Sequence, residues 1–143
     1  MIFKQFFDNS SSTYTYLISS GKGREALIID PVLENVETYI SYLKELDLKL
    51  VKVIDTHIHA DHISGMAELR DKTNCVTIMG DKAPANVVAM KVADNENIKI
   101  ENINIKLFLS DVGERYVVEK MKNTNSFVGG EPSGHIIFSD NSY

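Results

Sequence analysis

The sequence predicts a mixed α/β domain, and three patterns along the chain indicate it. Runs of β-branched and aromatic residues at 2–7 and 13–19 are typical of strands. From Leu33 to Leu46, apolar residues recur every three or four positions, which predicts a helix of about four turns. The continuous apolar run at 50–54 predicts a strand covered on both faces. Alternation of strands and helices favours a layered domain.

Further elements continue this pattern. A strand at 26–29 ends at Asp30-Pro31, because proline cannot donate to a sheet ladder. Residues 63–70 predict a second helix, whereas 81–93 give no clear pattern. Three more strands are predicted, and a tight turn at Glu101-Asn102 joins the last two; they comprise 76–79, 98–100 and 103–107.

The last part of the chain, from residue 110 on, has local patterns of its own. Asp111 is predicted to cap a helix, because Glu114 follows it by three residues. Residues 126–128 and 135–138 predict a strand pair joined by a glycine-rich turn. We call residues 110–143 the tail.

Composition excludes several classes of function. The chain has 143 residues, a net charge of −5 and scattered basic residues, which argues against a nucleic-acid or anionic-membrane surface. No apolar run approaches the ~20 residues that span a bilayer, and the N-terminus lacks a secretory pattern. The single cysteine, Cys75, is predicted to be a buried small side chain. We expect a cytoplasmic protein that binds neither nucleic acid nor membranes.

A dense group of metal-ligand residue types follows the strand at 50–54. Three of the four histidines, His57, His59 and His62, lie within six residues together with Asp61. Imidazole and carboxylate are the groups that borderline divalent metals accept, and the end of a rigid strand can aim several of them at one point. The alternative is a polar loop with surface histidines, which this density disfavours. The pattern predicts a divalent-metal site and does not identify the metal; zinc or iron is what the family resemblance described next implies.

The segment 55–65 resembles the metal loop of the metallo-β-lactamase superfamily. Within that superfamily the chain is most similar to persulfide dioxygenases, with hydroxyacylglutathione hydrolases as close relatives. Residues 3–7, 15–18 and 26–34 carry the same resemblance. It implies an αββα sandwich, of which residues 1–109 would form a truncated N-terminal half.

The resemblance also implies roles for the loop. In the hydrolases, His57 and His59 would hold a first metal and Asp61 and His62 a second, with Asp61 orienting a hydroxide or taking its proton. In the dioxygenases, a single iron would take His57 from this loop. The substrate would be a small thiol or thioester linked to glutathione. Asp30 would lie near this loop, although an ordinary Asp-Pro turn explains it equally well.

The resemblance breaks after residue 109. The family places its next histidine ligand in a Pro-Gly-His-Thr turn, where this chain has Ser110-Asp111-Val112-Gly113. The tail instead resembles an internal piece of phosphoglucosamine mutase, which implies that Glu131, Ser133 and His135 contact a sugar. The phosphoserine and magnesium loops of that family are absent, so phosphoryl transfer is not expected. We expect a fusion of two fragments, 1–109 and 110–143, with the tail packed on the same domain.

Three functions compete at this point. The first is a metal-dependent hydrolase or persulfide dioxygenase, impaired by its incomplete ligand set. The second is a non-catalytic fusion remnant that folds and forms a homo-oligomer, because half a sandwich leaves apolar sheet surface exposed. The third is a weak sugar-phosphate binding module in the tail. His135 is expected to end a strand without ligand duty, and the competing hypothesis is that it replaces the missing metal ligand.

Overall fold

A computed structural model describes residues 1–84, 88–106, 108, 110–111, 113–126, 128–130 and 136–138. Its regular elements alternate as the sequence predicts. A 3-10 turn at Leu33–Asn35 leads into the first of three helices, α1 Val36–Glu45, α2 Met66–Thr73 and α3 Glu114–Thr124. The strands are β1 Ile2–Asp8, β2 Thr13–Ser19, β3 Glu25–Ile29, β4 Lys49–Ile54, β5 Val76–Gly80, β6 Met90–Val92, β7 Asn97–Ile100, β8 Ile103–Lys106, β9 Val128–Gly130 and β10 Ile136–Phe138.

Six strands form one mixed sheet in the order β1-β2-β3-β4-β5-β6. Strand β2 is antiparallel to both of its neighbours, β1 and β3, and strands β3 to β6 are parallel. Strands β3 and β4 therefore end at the same edge of the sheet, and β2 begins there. This shared edge carries the histidine cluster.

The sheet is covered on both faces, but by different elements. Helices α1 and α2 cover one face and bury Tyr39, Leu43 and Leu69 against β2 to β5. The β7–β8 hairpin covers the other face and packs Ile98 and Ile100 on β3 to β6. The continuous apolar run of β4 follows from this arrangement, since its side chains face an apolar layer on either side.

The predicted elements are largely confirmed, although α2, α3 and β9 each begin later than predicted. Helix α2 begins at Met66 rather than at residue 63, because Ser64 is held in a bridge to Val32 and its hydroxyl accepts a hydrogen bond from the Met66 amide. The predicted cap at Asp111 is wrong. Helix α3 starts after Gly113, whose φ of 123° suits glycine and whose carbonyl accepts the first backbone bonds of the helix.

The tail forms a small unit of α3 with the β9–β10 strand pair. A strand pair forms here as predicted, but the first strand is Val128–Gly130 rather than 126–128, with Val128 opposite Phe138. Gly129 and Gly130, predicted to form the turn, instead pair with Ile137 and Ile136. A Cβ at Gly129 would lie 2.5 Å from Val117 Cγ1, so α3 and β9 are in close contact. An ion pair of 3.2 Å between Lys120 and Asp94 links α3 to the loop before β7. The placement of the domain boundary near residue 110 stays a prediction.

Two composition-based expectations bear on the fold. Cys75 is 4% exposed, which confirms the buried side chain. Within the part of the chain that the structure describes, no helix combines the length and apolar character needed to cross a bilayer.

Candidate metal centre

The histidine cluster lies on the loop that follows β4, at the edge where β3 also ends. The loop is fixed at both ends by backbone hydrogen bonds. At its start, the amide of Asp55 donates to the Ile78 carbonyl over 3.1 Å. At its end, the amide of Gly65 donates to the Pro31 carbonyl over 2.7 Å. A loop held in this way keeps its side chains aimed at one point.

Asp30 is the main anchor of this loop. Its backbone has a φ of 51°, a left-handed conformation that aspartate adopts more readily than most residues. The conformation turns the buried carboxylate toward the loop, where the Thr56 amide and the Thr56 hydroxyl each donate to it over 2.7 Å. His59 Nε2 lies 3.1 Å from the same carboxylate. Asp30 therefore contacts the loop at 55–65. This decides between the two alternatives that the sequence left open for Asp30, a place near the loop and an ordinary Asp-Pro turn.

The three imidazoles form a compact row with His59 in the middle. The ring centroids of His57 and His59 are 4.1 Å apart, and those of His59 and His62 are 4.2 Å apart. Two sets of potential ligand atoms within 4.8 Å of one another share His59: one contains Asp30 and His57, and the other Asp61 and His62. The side chains of His59 and His62 are only 4% and 3% exposed.

Hydrogen-bond direction assigns the tautomer of His57. The Thr56 hydroxyl has one hydrogen, which it donates to Asp30 Oδ2, so it can only accept at the 2.9 Å contact with His57 Nδ1. His57 Nδ1 therefore carries the proton. The lone pair remains on Nε2, which is buried and has no hydrogen-bond partner within the described residues.

The same reasoning applies to the other two rings. Thr13 donates its hydroxyl hydrogen to Asp61 Oδ2 over 3.1 Å and so accepts from His62 Nδ1, also at 3.1 Å. This leaves His62 Nε2 as the lone-pair atom, again buried without a partner in the described part of the chain. His59 donates from Nε2 to Asp30, so its lone pair is on Nδ1. In neutral form, all three rings offer a lone pair that a hydrogen bond on the other nitrogen orients.

This donor set fits a divalent cation. Metal-bound histidines in proteins commonly donate their second ring nitrogen to a carboxylate or another acceptor, which fixes the ring and raises its basicity. Buried nitrogen lone pairs without partners are costly unless something accepts them. The unpartnered Nε2 atoms of His57 and His62 are the structural observation that supports a metal here.

Burial and charge shift the pKa values of the site in different directions. Burial lowers the pKa of His57. Burial also opposes the charged form of His59, but the hydrogen bond and the charge of Asp30 outweigh it and raise the His59 pKa. Burial raises the pKa of Asp55 to about 6, although a hydrogen bond from Ser64 opposes the shift. For Asp61, burial is outweighed by hydrogen bonds, including that from Thr13, and its pKa is lowered.

The four side chains that the sequence singled out lie in two sets of potential ligand atoms that share His59: His57 is in one set, and Asp61 and His62 are in the other. Their roles as ligands stay predictions, as does the catalytic role of Asp61. The three predicted sugar contacts fall outside the described residues; they are Glu131, Ser133 and His135.

Sequence reasoning missed the hydroxyl groups that support the cluster. Thr56 was visible only as a neighbour of His57, and Thr13 sits in a strand that is typical of ordinary sheet packing. No sequence pattern marks Thr13, because its partners Asp61 and His62 are 48 and 49 positions away.

Comparison with known proteins decides the family. The model of the metallo-β-lactamase superfamily matches residues 9–87, more than half of the chain. The chain belongs to the metallo-β-lactamase superfamily. The histidine cluster lies within the matched residues.

Relatives within this superfamily include named enzymes. The mitochondrial persulfide dioxygenase ETHE1 of Mus musculus is 47% identical over 70 residues, which are 49% of this chain and 28% of the mouse protein. A probable hydroxyacylglutathione hydrolase of Schizosaccharomyces pombe is 33% identical over 99 residues, covering 68% of this chain and 38% of that protein. The chain therefore spans less than half the length of these relatives.

A solved structure confirms the fold. The crystal structure of ETHE1 from Myxococcus xanthus superposes with a TM-score of 0.70 at 40% identity, over 74% of this chain and 47% of that one. The α/β architecture with a metallo-β-lactamase fold, expected from the sequence, is confirmed.

The tail has relatives of a different kind. The model of alpha/beta/alpha domain III of the phosphoglucomutase/phosphomannomutase family matches residues 71–143, so the C-terminal half also belongs to that family. The phosphoglucosamine mutase of Nautilia profundicola is 44% identical over 62 residues, which are 42% of this chain and 14% of the mutase. The two predicted resemblances are therefore both confirmed.

Replacing Asp30 with asparagine is expected to loosen the metallo-β-lactamase loop. Asparagine tolerates the left-handed backbone, but its amide nitrogen cannot accept the bonds that one carboxylate oxygen now receives. We expect Asp30→Asn to weaken Zn²⁺ binding by about 10–100-fold and to lower the free energy of unfolding by about 1–3 kcal/mol. Metal titration and urea unfolding measure the two effects.

The matched control is Asp71→Asn, because Asp71 is 67% exposed and pairs only with Arg70 among the contacts described. It should change the unfolding free energy by less than about 0.5 kcal/mol and leave metal binding unaltered. Equal effects of the two variants would contradict the anchoring role of Asp30.

Proposed function

We propose that this chain binds a divalent metal ion through His57, His59, Asp61 and His62 and uses it on a small thiol-derived substrate. Persulfide oxidation with iron is the first reaction class. The observation that carries the proposal is the pair of buried, unpartnered Nε2 atoms on His57 and His62, within a row of imidazoles about 4 Å apart.

The choice of reaction class rests on the comparisons. Identity to the mouse persulfide dioxygenase is 47% over 70 residues, compared with 33% over 99 residues to the probable hydroxyacylglutathione hydrolase of Schizosaccharomyces pombe. When bound, iron supplies open coordination positions for redox chemistry, which side chains alone cannot provide. The chain's own residues orient the ligands: Asp30 holds His59, and Thr56 holds His57.

A two-metal hydrolase is the second candidate, and the geometry favours it in one respect. The set of His59, Asp61 and His62 forms a second group of ligand atoms beside that of Asp30, His57 and His59. A zinc ion in such a site lowers the pKa of water from ~15.7 to ~7. Asp61 lies beside His62 and its pKa is lowered, so it would stay ionised and accept a proton from that water.

Elemental analysis of the protein, purified without chelators, tests the proposal and separates its two versions. About one iron per chain with oxygen uptake on glutathione persulfide supports the dioxygenase, and zinc with hydrolysis of a glutathione thioester supports the hydrolase. Turnover is expected to be below that of the full-length relatives, because Ser110-Asp111-Val112-Gly113 replaces the family's next histidine turn. Protein that holds neither metal, and takes up neither on addition, would contradict the proposal.

Three further expectations remain predictions. A homo-oligomer is motivated by the side chains of Phe3 and Phe7 on the edge strand β1, which are 50% and 48% exposed. A cytoplasmic location and the fusion of two fragments near residue 110 rest on the sequence.

A further inference from the structure

We infer that two buried threonines at the start of β2, Thr13 and Thr15, are positioning residues for the metal centre. Each holds one half of the cluster: Thr13 contacts Asp61 and His62 directly, and Thr15 holds the backbone of Asp30. The inference rests on the proposed metal function, but its structural part can be tested without metal.

Strand pairing explains why these two residues reach the site. Strand β2 runs antiparallel to β3, with Tyr16 opposite Ile29, so the residues before Tyr16 lie beside the end of β3. Thr13 and Thr15 are two positions apart and therefore face the same side of the sheet. Both are buried, with exposed fractions of 5% and 1%. Their hydroxyls lie where the metal loop passes the sheet edge.

Thr13 joins the two C-terminal side chains of the cluster. Its hydroxyl donates to Asp61 Oδ2 and accepts from His62 Nδ1, each over 3.1 Å. Ser11 Oγ also lies 2.9 Å from this hydroxyl and contacts Asp8, so residues of the turn between β1 and β2 help to hold the Thr13 hydroxyl in place. The Thr13 hydroxyl thereby orients the Asp61 carboxylate and, together with Asp61 Oδ1 at 3.3 Å, keeps the proton of His62 on Nδ1.

Thr15 acts at one remove, through a directional chain of hydrogen bonds. The Val32 amide donates to the Tyr39 hydroxyl over 3.2 Å, and that hydroxyl lies 3.0 Å from Thr15 Oγ1. Thr15 donates its one hydrogen to the Asp30 carbonyl over 2.6 Å, so Tyr39 must be the donor to Thr15. The chain joins the residues on either side of Pro31 and so holds Asp30 in its left-handed conformation. Hydrogen bonds that run in one direction polarise and strengthen one another.

The alternating tyrosines of β2 show a different behaviour. Tyr14 packs against Phe7 with ring centroids 4.7 Å apart, and Tyr16 stacks on Phe3 at 5.7 Å, as expected for sheet packing. The threonines face the opposite side of the sheet, and their hydroxyls bond to the site. A role in packing alone would not require those hydroxyls, since valine has the same shape.

The test compares Thr13→Val and Thr15→Val with the serine variants of the same positions. Long-range proton–nitrogen NMR of ¹⁵N-histidine protein, free of metal and at alkaline pH, reports the tautomer of each ring. We expect Thr13→Val to shift the ring ¹⁵N resonances of His62, because Asp61 Oδ1 is then the remaining partner of its Nδ1, and to leave His59 unchanged. Thr15→Val should shift the resonances of His59 and leave His62 unchanged. The serine variants, which keep the hydroxyl, should retain the parent spectrum.

Metal titration gives a second readout. Thr13→Val should weaken Zn²⁺ binding about tenfold, the lower end of the loss seen when a ligand's hydrogen-bond partner is removed, and Thr13→Ser should restore it. The matched control is Thr77→Val, because Thr77 is a buried strand threonine whose hydroxyl accepts from the Ala89 amide, away from the cluster. Thr77→Val should change neither the histidine resonances nor the affinity for Zn²⁺.

The outcomes separate this inference from the proposed function. Unchanged His62 resonances in folded Thr13→Val protein, together with unchanged His59 resonances in folded Thr15→Val protein, would overturn the inference, even if the parent binds metal. Resonances that respond as described, in a parent chain that binds no metal, would support the positioning role and contradict the proposed function. If Thr15→Val fails to fold, Tyr39→Phe removes the hydroxyl that links the Val32 amide to Thr15 in the same chain and should also shift the His59 resonances.

Discussion

Protein that carries His57→Ala and His59→Ala together is expected to purify without bound metal and to bind added Zn²⁺ at least ~100-fold more weakly than the parent chain. Loss of a group that merely orients a ligand costs about 10–100-fold, so loss of two nitrogen ligands costs more. His59 is shared by both sets of ligand atoms, so its loss breaks both. Elemental analysis and competition with a chromophoric chelator measure the result.

Two companion variants make this result specific. Ile58→Ala with Ile63→Ala alters the same loop, but these side chains are 52% and 65% exposed and carry no ligand atom, so metal content should be unchanged. His135→Ala should also bind metal like the parent, and weaker binding would identify His135 as a ligand. A double-histidine variant that retains metal at parental affinity would remove the basis of the proposed function.

The second large effect is expected in the core beneath the metal loop. Leu69 on α2 is fully buried in the layer that α1 and α2 form on the sheet. Leu69→Ala leaves a cavity there and should lower the free energy of unfolding by about 3 kcal/mol. Guanidinium unfolding followed by circular dichroism measures the loss.

Metal should raise the free energy of unfolding without changing the loss that Leu69→Ala causes. Helix α2 begins directly after the loop, with the Leu69 amide donating to the Gly65 carbonyl over 2.9 Å. Because an ion that binds only the folded chain stabilises it, saturating metal at 100 times its Kd should raise the unfolding free energy by about 2.7 kcal/mol in parent and variant alike. The exposed Ile63→Ala serves as control, with an expected loss of less than about 0.5 kcal/mol. An equal loss in both variants would contradict the assignment of Leu69 to the core.

Local patterns were sufficient to predict most of the elements and the location of the site. The apolar run of β4 and the ligand residues directly after it are contiguous in sequence, so a strand tip that carries a metal loop could be predicted without knowledge of the rest. The β7–β8 hairpin was equally local, with its turn at Glu101 in the left-handed region. Short-range periodicity determines such features.

Other features depend on contacts between distant segments, and the sequence did not reveal them. The start of α2 moved to Met66 because Ser64 pairs with Val32, which lies across the sheet edge. The roles of Thr13 and Thr15 depend on how β2 aligns with β3, and a shift of that alignment by one residue would turn their hydroxyls to the other face. For Asp30, the sequence left a place near the loop and an ordinary Asp-Pro turn equally open, and only its contacts with Thr56 and His59 decide between them.

Close packing around Gly65 limits the positions at which this loop can accept larger side chains. A Cβ at Gly65 would lie 2.8 Å from Val36 Cγ2 and 3.1 Å from the Val32 carbonyl oxygen, so the exit of the loop tolerates nothing larger than glycine without displacement. Ile58 and Ile63 project into solvent beside the imidazoles and have no such restriction. Engineering of substrate preference in this protein should therefore begin with libraries at these two isoleucines, where side-chain identity can vary while the scaffold that aims the histidines stays constant.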